Sequence, residues 1–340
     1  MKILNLLLLL LLLLTTAEAQ SGLIGTIDFY GGRTVSEEKV RRALQIKEGD
    51  NVPESKEAVE KIEKRLAALP NVAQARVSAV CCAANGRLMI YVGVREKNSP
   101  ILEFRAAPKG TIRLTENIFK TGSEYAEAHH QAVLKGDAAE DRSDGHSLVK
   151  NPEARSIQEK FIPLANRNLN LLRRVLRESS DAEHRALAAQ VIAYYKDKSV
   201  IVADLIEAMK DENSTVRNNA MRSLGLIAMH AQLHPGKRIK VPFEPFVALL
   251  NSLEWTDRNK SALALEELTV TRNAELLKLL RETSVPALIE MARWKNDGHA
   301  GTSFFILGRV GNFSDDEIGQ AWLNGMREDL IAKAQKNFQK

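Results

Sequence analysis

The sequence predicts a small α+β module followed by an all-α repeat structure, in a protein that is mostly helical. Only 5% of the 340 residues are aromatic, whereas leucine and alanine are abundant, and this composition favours helices over a sandwich or barrel. Alternating, β-branched segments typical of strands are confined to residues 24–94. A helical pattern recurs from residue 181 onwards, which is typical of stacked repeats.

The charge balance argues against a nucleic-acid partner. Lys and Arg number 48 and Asp and Glu number 43, giving a formal net charge of +5. These charges are spread along the chain, and no segment carries the dense basic patch that phosphate binding needs. We therefore expect protein partners and no nucleic acid. Association with a membrane surface is compatible with the sequence but is not predicted.

Residues 1–19 are predicted to be a secretory signal peptide. Lys2 precedes an unbroken leucine run, Leu6–Leu14, and a small-residue cleavage site ends at Ala19. The apolar stretch 3–16 spans 14 residues, fewer than the about 20 that cross a bilayer. We expect an exported, periplasmic or secreted protein whose mature chain begins at Gln20. The alternative is that the leucine run is retained, which would make the protein a membrane-tethered envelope assembly factor.

The next part, residues 20–97, has the element order β-α-α-β-β. Turn glycines delimit the strands, capping serines open the helices, and Asn85-Gly86 is a hairpin signal. The natural arrangement is a three-stranded sheet with both helices on one face. The expected elements are a strand at 24–29, helices after Ser36 and Ser55, and strands at 72–80 and 88–94.

A set of apolar and turn positions in this module matches a known family. These positions are Ile24, Ile27, Phe29, Val35, Ser36, Leu44, Gly49, Asp50, Leu66, Leu69, Pro70, Val72 and Glu96. They resemble the POTRA (polypeptide-transport-associated) domain of bacterial outer-membrane assembly and secretion proteins. The resemblance implies a domain without catalytic residues that binds other proteins, often through an exposed sheet edge. The strand Val72–Val80 is expected at an edge, with the backbone groups of Val77 free to pair with an incoming segment.

Cys81 and Cys82, the only two cysteines, follow the second predicted strand. One interpretation is two small residues at a strand end. The other is a redox feature, either a vicinal disulfide or a bond to a partner, because an oxidising compartment favours disulfides. Neighbouring Cα atoms lie about 3.8 Å apart, below the usual disulfide range, so a vicinal bridge requires a distorted backbone.

Residues 98–160 connect the two parts and show weak periodicity. We expect one helix, capped by Thr115 and running to about Leu134, and then a flexible acidic loop over residues 136–151. The histidines and acids here match no metal-ligand spacing, so we expect neither a metal nor a cofactor. An exported hydrolase or lyase, with its site between this segment and the repeats, is nevertheless an alternative, because these side chains suit acid–base chemistry. They are His129, His130, Asp141, Asp144 and His146.

Residues 161–312 repeat a pair of helices. One pair cannot bury both of its apolar faces, so stacked pairs share a continuous core. Residues 313–340 are expected to cap the stack. The second helices carry the repeated pattern, whose copies begin at Asp181, Asp211, Asp257 and, in a degenerate form, Ser303.

These units resemble HEAT repeats, most closely at Asp211–Gly225. The resemblance implies that an Asp or its neighbour caps the second helix, and that an Arg reaches the carboxylate of an adjacent unit. The expected equivalent bases are Arg185, Arg217 and Lys260, with Asp181, Asp211 and Asp257 close enough to pair with them.

The sequence contains none of the GxSxG, HExxH, GxxxxGK or GxGxxG signatures of chemistry, so we expect no catalytic residues. It therefore predicts a non-enzymatic exported scaffold that binds proteins through the module's sheet edge and the face of the solenoid. On the solenoid, the expected contacts are solvent-facing residues of the second helices: Asn218, Arg222 and Glu267.

Overall fold

The structure, a computed structural model, describes residues 22–81, 83 and 86–338. The predicted signal peptide and the alternative of a retained anchor lie outside the described residues, as do Cys82 and Asn85. The predicted fold class is confirmed, because an N-terminal α+β module precedes a helical solenoid and helices dominate.

The module forms one three-stranded sheet with the predicted order of elements. These are β1 (Ile24–Tyr30), α1 (Glu37–Leu44), α2 (Lys56–Ala67), β2 (Val72–Val80) and β3 (Leu88–Glu96). Strand β3 is central, parallel to β1 and antiparallel to β2. Strands β1 and β2 are therefore the two edges.

The connecting segment packs against the helical half. Its elements are α3 (Glu116–Leu134), β4 (Glu140–Asp141), β5 (Leu148–Val149) and α4 (Pro152–Gln158). The predicted helix after Thr115 is present as α3. The expectation of a flexible loop over 136–151 is wrong, because the β4–β5 hairpin forms there with Leu148 and Val149 buried. The side chain of Gln158 fixes this hairpin by accepting from the Val149 N–H at 2.7 Å and donating to the Ser147 carbonyl at 2.9 Å.

The solenoid is a stack of helix pairs closed by two further helices. In α5 the backbone of Asn168 is non-helical, which kinks the first helix of the stack. Helix α11 ends and α12 begins just before Pro286, which lies in the first turn of α12, where a proline is tolerated. The elements are α5 (Phe161–Glu178), α6 (Ala182–Val191), α7 (Val202–Ala208), α8 (Ser214–Leu233), α9 (Glu244–Leu249), α10 (Trp255–Thr269), α11 (Ala274–Thr283), α12 (Val285–Ala292), α13 (Asp297–Val310), α14 (Asp315–Leu323) and α15 (Arg327–Phe338).

Side chains alternate along β3 and divide the sheet into two faces. Ile90, Val92 and Val94 pack with α1 and α2 in a small core of the module. Met89 and Tyr91 point to the opposite face and belong to the large core of the solenoid. Both faces of the sheet are therefore covered, whereas the sequence predicted a cover, the two helices of the module, for one face only.

Aromatic side chains form much of this contact between module and solenoid. The ring of Tyr91 stacks on Trp255 and meets Trp294 edge-on, with centroids 4.9 Å apart in both pairs. Its hydroxyl lies 2.6 Å from Nδ1 of His299. Tyr30 donates to the Leu253 carbonyl at 2.7 Å. Aromatic pairs of this kind contribute about 0.5–1.5 kcal/mol beyond the area they bury.

Ion pairs surround the aromatic contact. Glu290 of α12 forms ion pairs with Arg33 of the module and with Arg258 of α10, and it also accepts from the Gly31 N–H at 3.1 Å. At the opposite side of the sheet, Arg76 donates to Glu254 at 2.9 Å. The module is thus held on the solenoid by contacts along its whole inner face.

Buried arginines link successive helix pairs. Arg185 donates from Nε and Nη2 to Asp211 at 2.8 and 2.9 Å, and Arg217 donates to Asp257 at 2.9 and 2.8 Å. All four side chains are at most 1% exposed. Each arginine reaches the carboxylate of the next unit, as the HEAT resemblance implied.

Arg258, and not Lys260, is the third member of this series of buried arginines, which we call the ladder. Lys260 lies two residues further along α10 and therefore points to another side of the helix. Arg258 reaches Glu290 of the next unit at 3.3 Å. The expected equivalence of Lys260 is wrong because three arginines share one contact, a hydrogen bond to the carbonyl six residues earlier: Arg185 to Ser179, Arg217 to Asp211 and Arg258 to Ser252.

The aspartates near these arginines have two different roles, helix capping and ion pairing. Asp181 caps α6 by accepting from the Glu183 and His184 N–H groups, and it pairs with Arg113. Asp211 takes Arg185 of the preceding unit, and its neighbour Asn213 caps α8. The sequence also allowed each arginine to pair with the aspartate of its own unit. In the structure, Arg185 and Arg217 pair instead with the aspartate of the next unit.

Candidate partner-binding surfaces

The sheet edge predicted to capture an extended segment is partly occupied by the chain itself. Strand β2 lies at an edge, as predicted. The N–H of Val77, however, donates to Glu63 at 2.9 Å, and Arg76 donates to the Ala75 carbonyl at 3.2 Å and to Glu63 at 3.3 Å. The expectation of a free donor at Val77 is wrong, because the Glu63 carboxylate on α2 reaches over the edge.

Cys81 follows β2 directly and is disulfide-bonded. Cys82, the other cysteine of the sequence, lies outside the described residues. A redox role for Cys81 and Cys82 stays a prediction.

The three predicted contact positions on the second helices are all partly buried. Arg222 of α8 forms an ion pair with Glu140 of the hairpin, so the chain itself covers this part of the face. Asn218 accepts from the Thr256 hydroxyl at 2.6 Å, and the Glu267 carbonyl accepts from the side-chain amide of Gln232. The expectation that Arg222 faces open solvent is wrong, and partner binding by these residues stays a prediction.

A cavity of about 360 Å³ lies between the β4–β5 hairpin and the solenoid, and we call it the hairpin cavity. It occupies the place that the sequence assigned to an alternative enzyme site. His146 is 8% exposed there, and its Nδ1 lies 3.1 Å from Nζ of Lys198. Burial and the Lys198 charge lower the pKa of His146 to about 4, so its ring is neutral at pH 7. The lining residues are Tyr125, His129, Ala138, Glu140, His146, Ser147, Gln190, Ala193, Tyr194, Asn219, Arg222, Ser223 and Leu226.

The acidic and basic groups of the hairpin cavity do not form a relay of the hydrolase type. Such a relay needs a histidine oriented by a carboxylate, but Nδ1 of His146 faces the Lys198 ammonium. The Glu140 carboxylate is engaged by Arg222 and Arg142. Its burial acts to raise the pKa, but the two arginines outweigh burial and hold the pKa of Glu140 below its usual range.

An open apolar groove of about 830 Å³ lies where α8, α10 and α11 meet the loop after α8. This loop carries Lys237, Arg238 and Lys240, all exposed, and Lys240 lines the groove. None of the three forms a salt bridge with another residue of the described chain. We call this surface the basic groove. Its lining residues are Ala228, Ala231, Gln232, Pro235, Ile239, Lys240, Val241, Pro242, Phe243, Glu244, Leu268, Val270, Thr271, Asn273 and Leu276.

Two features are absent from residues 22–81, 83 and 86–338. Within these ranges no three His, Cys, Asp or Glu side chains come together to hold a metal ion. The helices of the same ranges include none with both the length and the apolar character needed to span a membrane.

Comparison with known proteins supports the helical repeats. The HEAT-repeat family matches residues 169–235, which include the Arg185–Asp211 pair. No curated protein matches the sequence. Residues 169–235 of the solenoid are therefore similar to HEAT repeats, in agreement with the buried Arg185–Asp211 pair within them.

Several engineered repeat proteins are similar to the chain at low identity. An engineered protein aligns at 16% identity over 66% of this chain and 97% of its own, with a TM-score of 0.37. A computationally designed armadillo repeat protein for modular peptide recognition aligns at 14% identity over 65% and 97%, again with a TM-score of 0.37. These values are too low to indicate a shared function.

Proposed function

We propose that the protein is a non-enzymatic, exported protein-binding scaffold and that the basic groove is its docking surface. One observation carries the proposal: an open apolar groove lies beside three exposed cations that have no salt-bridge partner among the described residues. A surface of this composition loses unfavourable apolar exposure, and gains charge pairing, when a partner covers it.

The chemistry of the groove selects its occupant. Its walls are aliphatic and aromatic, and Val270 beside it is 47% exposed, so the bound segment must supply apolar side chains. The cations of the loop favour acidic residues next to them. The occupant we propose is an acidic, amphipathic helical segment of a partner protein, which presents aliphatic side chains at positions i, i+3, i+4 and i+7.

The groove is favoured over the edge of the POTRA-like module. At Val77 the edge donor is used by Glu63, so an incoming strand would have to displace an existing hydrogen bond. The module instead packs with its inner face on the solenoid. In this proposal the module sets the shape of the scaffold, and β2 from Ala79 onwards is a secondary contact at most.

A fluorescent peptide of about 15 residues tests the proposal, since helices of this length are marginally stable alone and can be ordered on binding. It carries leucines at the helical spacing above and glutamates at the remaining positions. Fluorescence anisotropy should show saturable binding to the mature protein. A peptide in which lysines replace the glutamates is the control and should bind at least tenfold more weakly.

Matched variants locate the site. Val270→Asp places a charge in the apolar wall and should weaken binding at least tenfold, whereas Leu323→Asp, at a position 79% exposed on α14, should not. Lys240→Glu should weaken binding, and Lys278→Glu on α11 should have little effect. Equal binding of both peptides, or unchanged binding by both V270D and K240E, would contradict the proposal.

A further inference from the structure

The hairpin cavity contains a buried donor without an acceptor. The Lys198 ammonium donates to the carbonyls of Ala193 and Tyr195 at 2.6 and 3.0 Å, and its third proton faces Nδ1 of His146 at 3.1 Å. Because an ammonium can only donate, Nδ1 accepts, and the neutral ring carries its proton on Nε2. Nε2 is buried and makes no hydrogen bond in the described structure. A buried donor left unpaired destabilises the folded protein, and a bound acceptor would remove that penalty.

Other polar groups of the cavity also lack acceptors. The side-chain amide of Gln190 makes no hydrogen bond to another described residue. Arg222 uses Nη2 on Glu140, which leaves its other guanidinium N–H groups unused by the described protein. Glu140 does not supply the missing acceptor, because Arg222 and Arg142 already share its carboxylate. Nε2 of His146 and the remaining N–H groups of Arg222 are therefore donors that the described protein does not pair, whereas the Gln190 amide offers both a donor and an acceptor.

The charges around the cavity are mostly positive. Arg142 and Arg222 flank the single carboxylate of Glu140, and Lys198 lies behind His146. Lys260 lies close enough to this cluster that burial and the Arg222 charge lower its pKa to about 8. Asp141 and Asp144 also act on the His146 ring, but together with Glu140 they make three carboxylates against the four cations, so the cavity attracts an anion.

The remaining walls are aromatic or aliphatic. The ring of Tyr194 lies against His146 with centroids 4.7 Å apart, and Tyr125 and Leu226 face the same space. A volume of about 360 Å³ is at the lower end of the range for small-molecule sites. The bound molecule must therefore be small and have an apolar body as well as an acceptor group.

We propose that the hairpin cavity is a binding site for a small organic carboxylate. Its carboxylate accepts from Nε2 of His146 and from the unused N–H groups of Arg222, and its apolar body lies between Tyr125, Tyr194 and Leu226. The site is separate from the basic groove, so neither proposal depends on the other.

Benzoate is the probe, and benzamide of the same shape is its uncharged control. In a titration of the mature protein labelled with ¹⁵N-histidine, benzoate should shift the ring resonances of His146 saturably and leave those of exposed His130 unchanged. Calorimetry should show benzamide and inorganic phosphate binding at least tenfold more weakly than benzoate. No binding of benzoate, or equal binding of benzamide or phosphate, would overturn the proposal.

Two variants test the contacts independently. His146→Phe removes the donor and keeps a planar ring beside Tyr194, and it should weaken benzoate binding about tenfold. His130→Phe on α3 is the matched control and should not change it. If H146F does not fold, Arg222→Gln tests the second contact, between the guanidinium and the carboxylate of the ligand. Arg142 still pairs with Glu140 in this variant, and benzoate binding should be weakened to a similar extent. Benzoate affinity that is unchanged in the folded variants would overturn the proposal.

Discussion

The guanidinium of Arg217 and the carboxylate of Asp257 meet in two hydrogen bonds of 2.9 and 2.8 Å between successive helix pairs. Asp257 also accepts from the Ser252 hydroxyl at 2.7 Å, and Phe104 of the connecting segment lies on the guanidinium face at 3.8 Å. One buried pair therefore joins two repeat units and holds the connecting segment on them.

This pair gives a prediction for stability. Arg217→Met leaves the Asp257 carboxylate buried without its cation and should lower the free energy of unfolding by about 3–5 kcal/mol. The double change R217M/D257L removes both charges and should recover much of that loss. Urea unfolding measures the effect of both changes. The control is Lys278→Met, which removes an exposed ion pair and should cost less than about 1 kcal/mol. A loss for R217M as small as that of the control would contradict the structural role of the ladder.

Close packing of the module on the solenoid depends on Gly93. A Cβ there would lie 2.5 Å from the ring of Tyr30, the ring that reaches into the solenoid. Gly93→Ala should therefore destabilise the protein by about 1–3 kcal/mol through overpacking. Gly319→Ala, in an open stretch of α14, should instead stabilise it by up to about 1 kcal/mol. Chemical denaturation distinguishes the two, and equal effects would count against a fixed contact between module and solenoid.

Asp28 makes the stability of the same contact depend on pH. Burial raises the pKa of Asp28 to about 6, opposed by the Lys295 backbone N–H and the Lys295 charge, while Glu37 and Glu48 add to the rise. Because the folded state holds this proton more tightly than the unfolded chain, the contribution of Asp28 to stability is fully present below about pH 4. It is lost as the pH rises through about 6.

Asp28→Asn tests this dependence, since the amide keeps an acceptor for Lys295 and does not titrate. The unfolding free energy of D28N relative to the wild type should rise by about 2 kcal/mol between pH 4 and pH 7. Asp316→Asn, on an exposed turn of α14, is the control. A difference that is constant with pH would show that Asp28 does not carry the effect.

Export predicts one mature N-terminus. Signal-peptide cleavage after Ala19 yields a chain that begins at Gln20. Mass spectrometry of the protein purified from the envelope fraction of an expressing bacterium should find this terminus. An intact Met1 or a retained leucine run would favour the membrane-tethered alternative.

Local patterns were enough to predict the elements of the module and the helix pairs of the solenoid, but they missed the β4–β5 hairpin. The order of strands and helices in the module follows from alternation and caps, and the repeat pairs follow from helical spacing. The near-continuous apolar run of β3, which includes Met89 and Tyr91, was also a signal that both faces of the sheet are covered. The sequence could not identify what covers the second face, because Trp255, Trp294 and His299 come from helices far along the chain.

The candidate sites depended on contacts that no local pattern carries. Lys237, Arg238 and Lys240 lie close together in the sequence, but the apolar wall beside them comes from separate helices. Arg222 was assigned to solvent because nothing near it in sequence indicates that Glu140 pairs with it. Lys260 was taken for a ladder residue because the third copy is shifted by two positions relative to the buried arginines.

Hydrogen–deuterium exchange with and without the acidic amphipathic peptide tests the docking surface most directly. Saturating peptide should slow exchange in the loop at residues 234–243 and around residues 268–276, and should leave β2 and the helix positions near Asn218 unchanged. Protection confined to β2 or to the second-helix face, with the basic groove exchanging as before, would contradict the account.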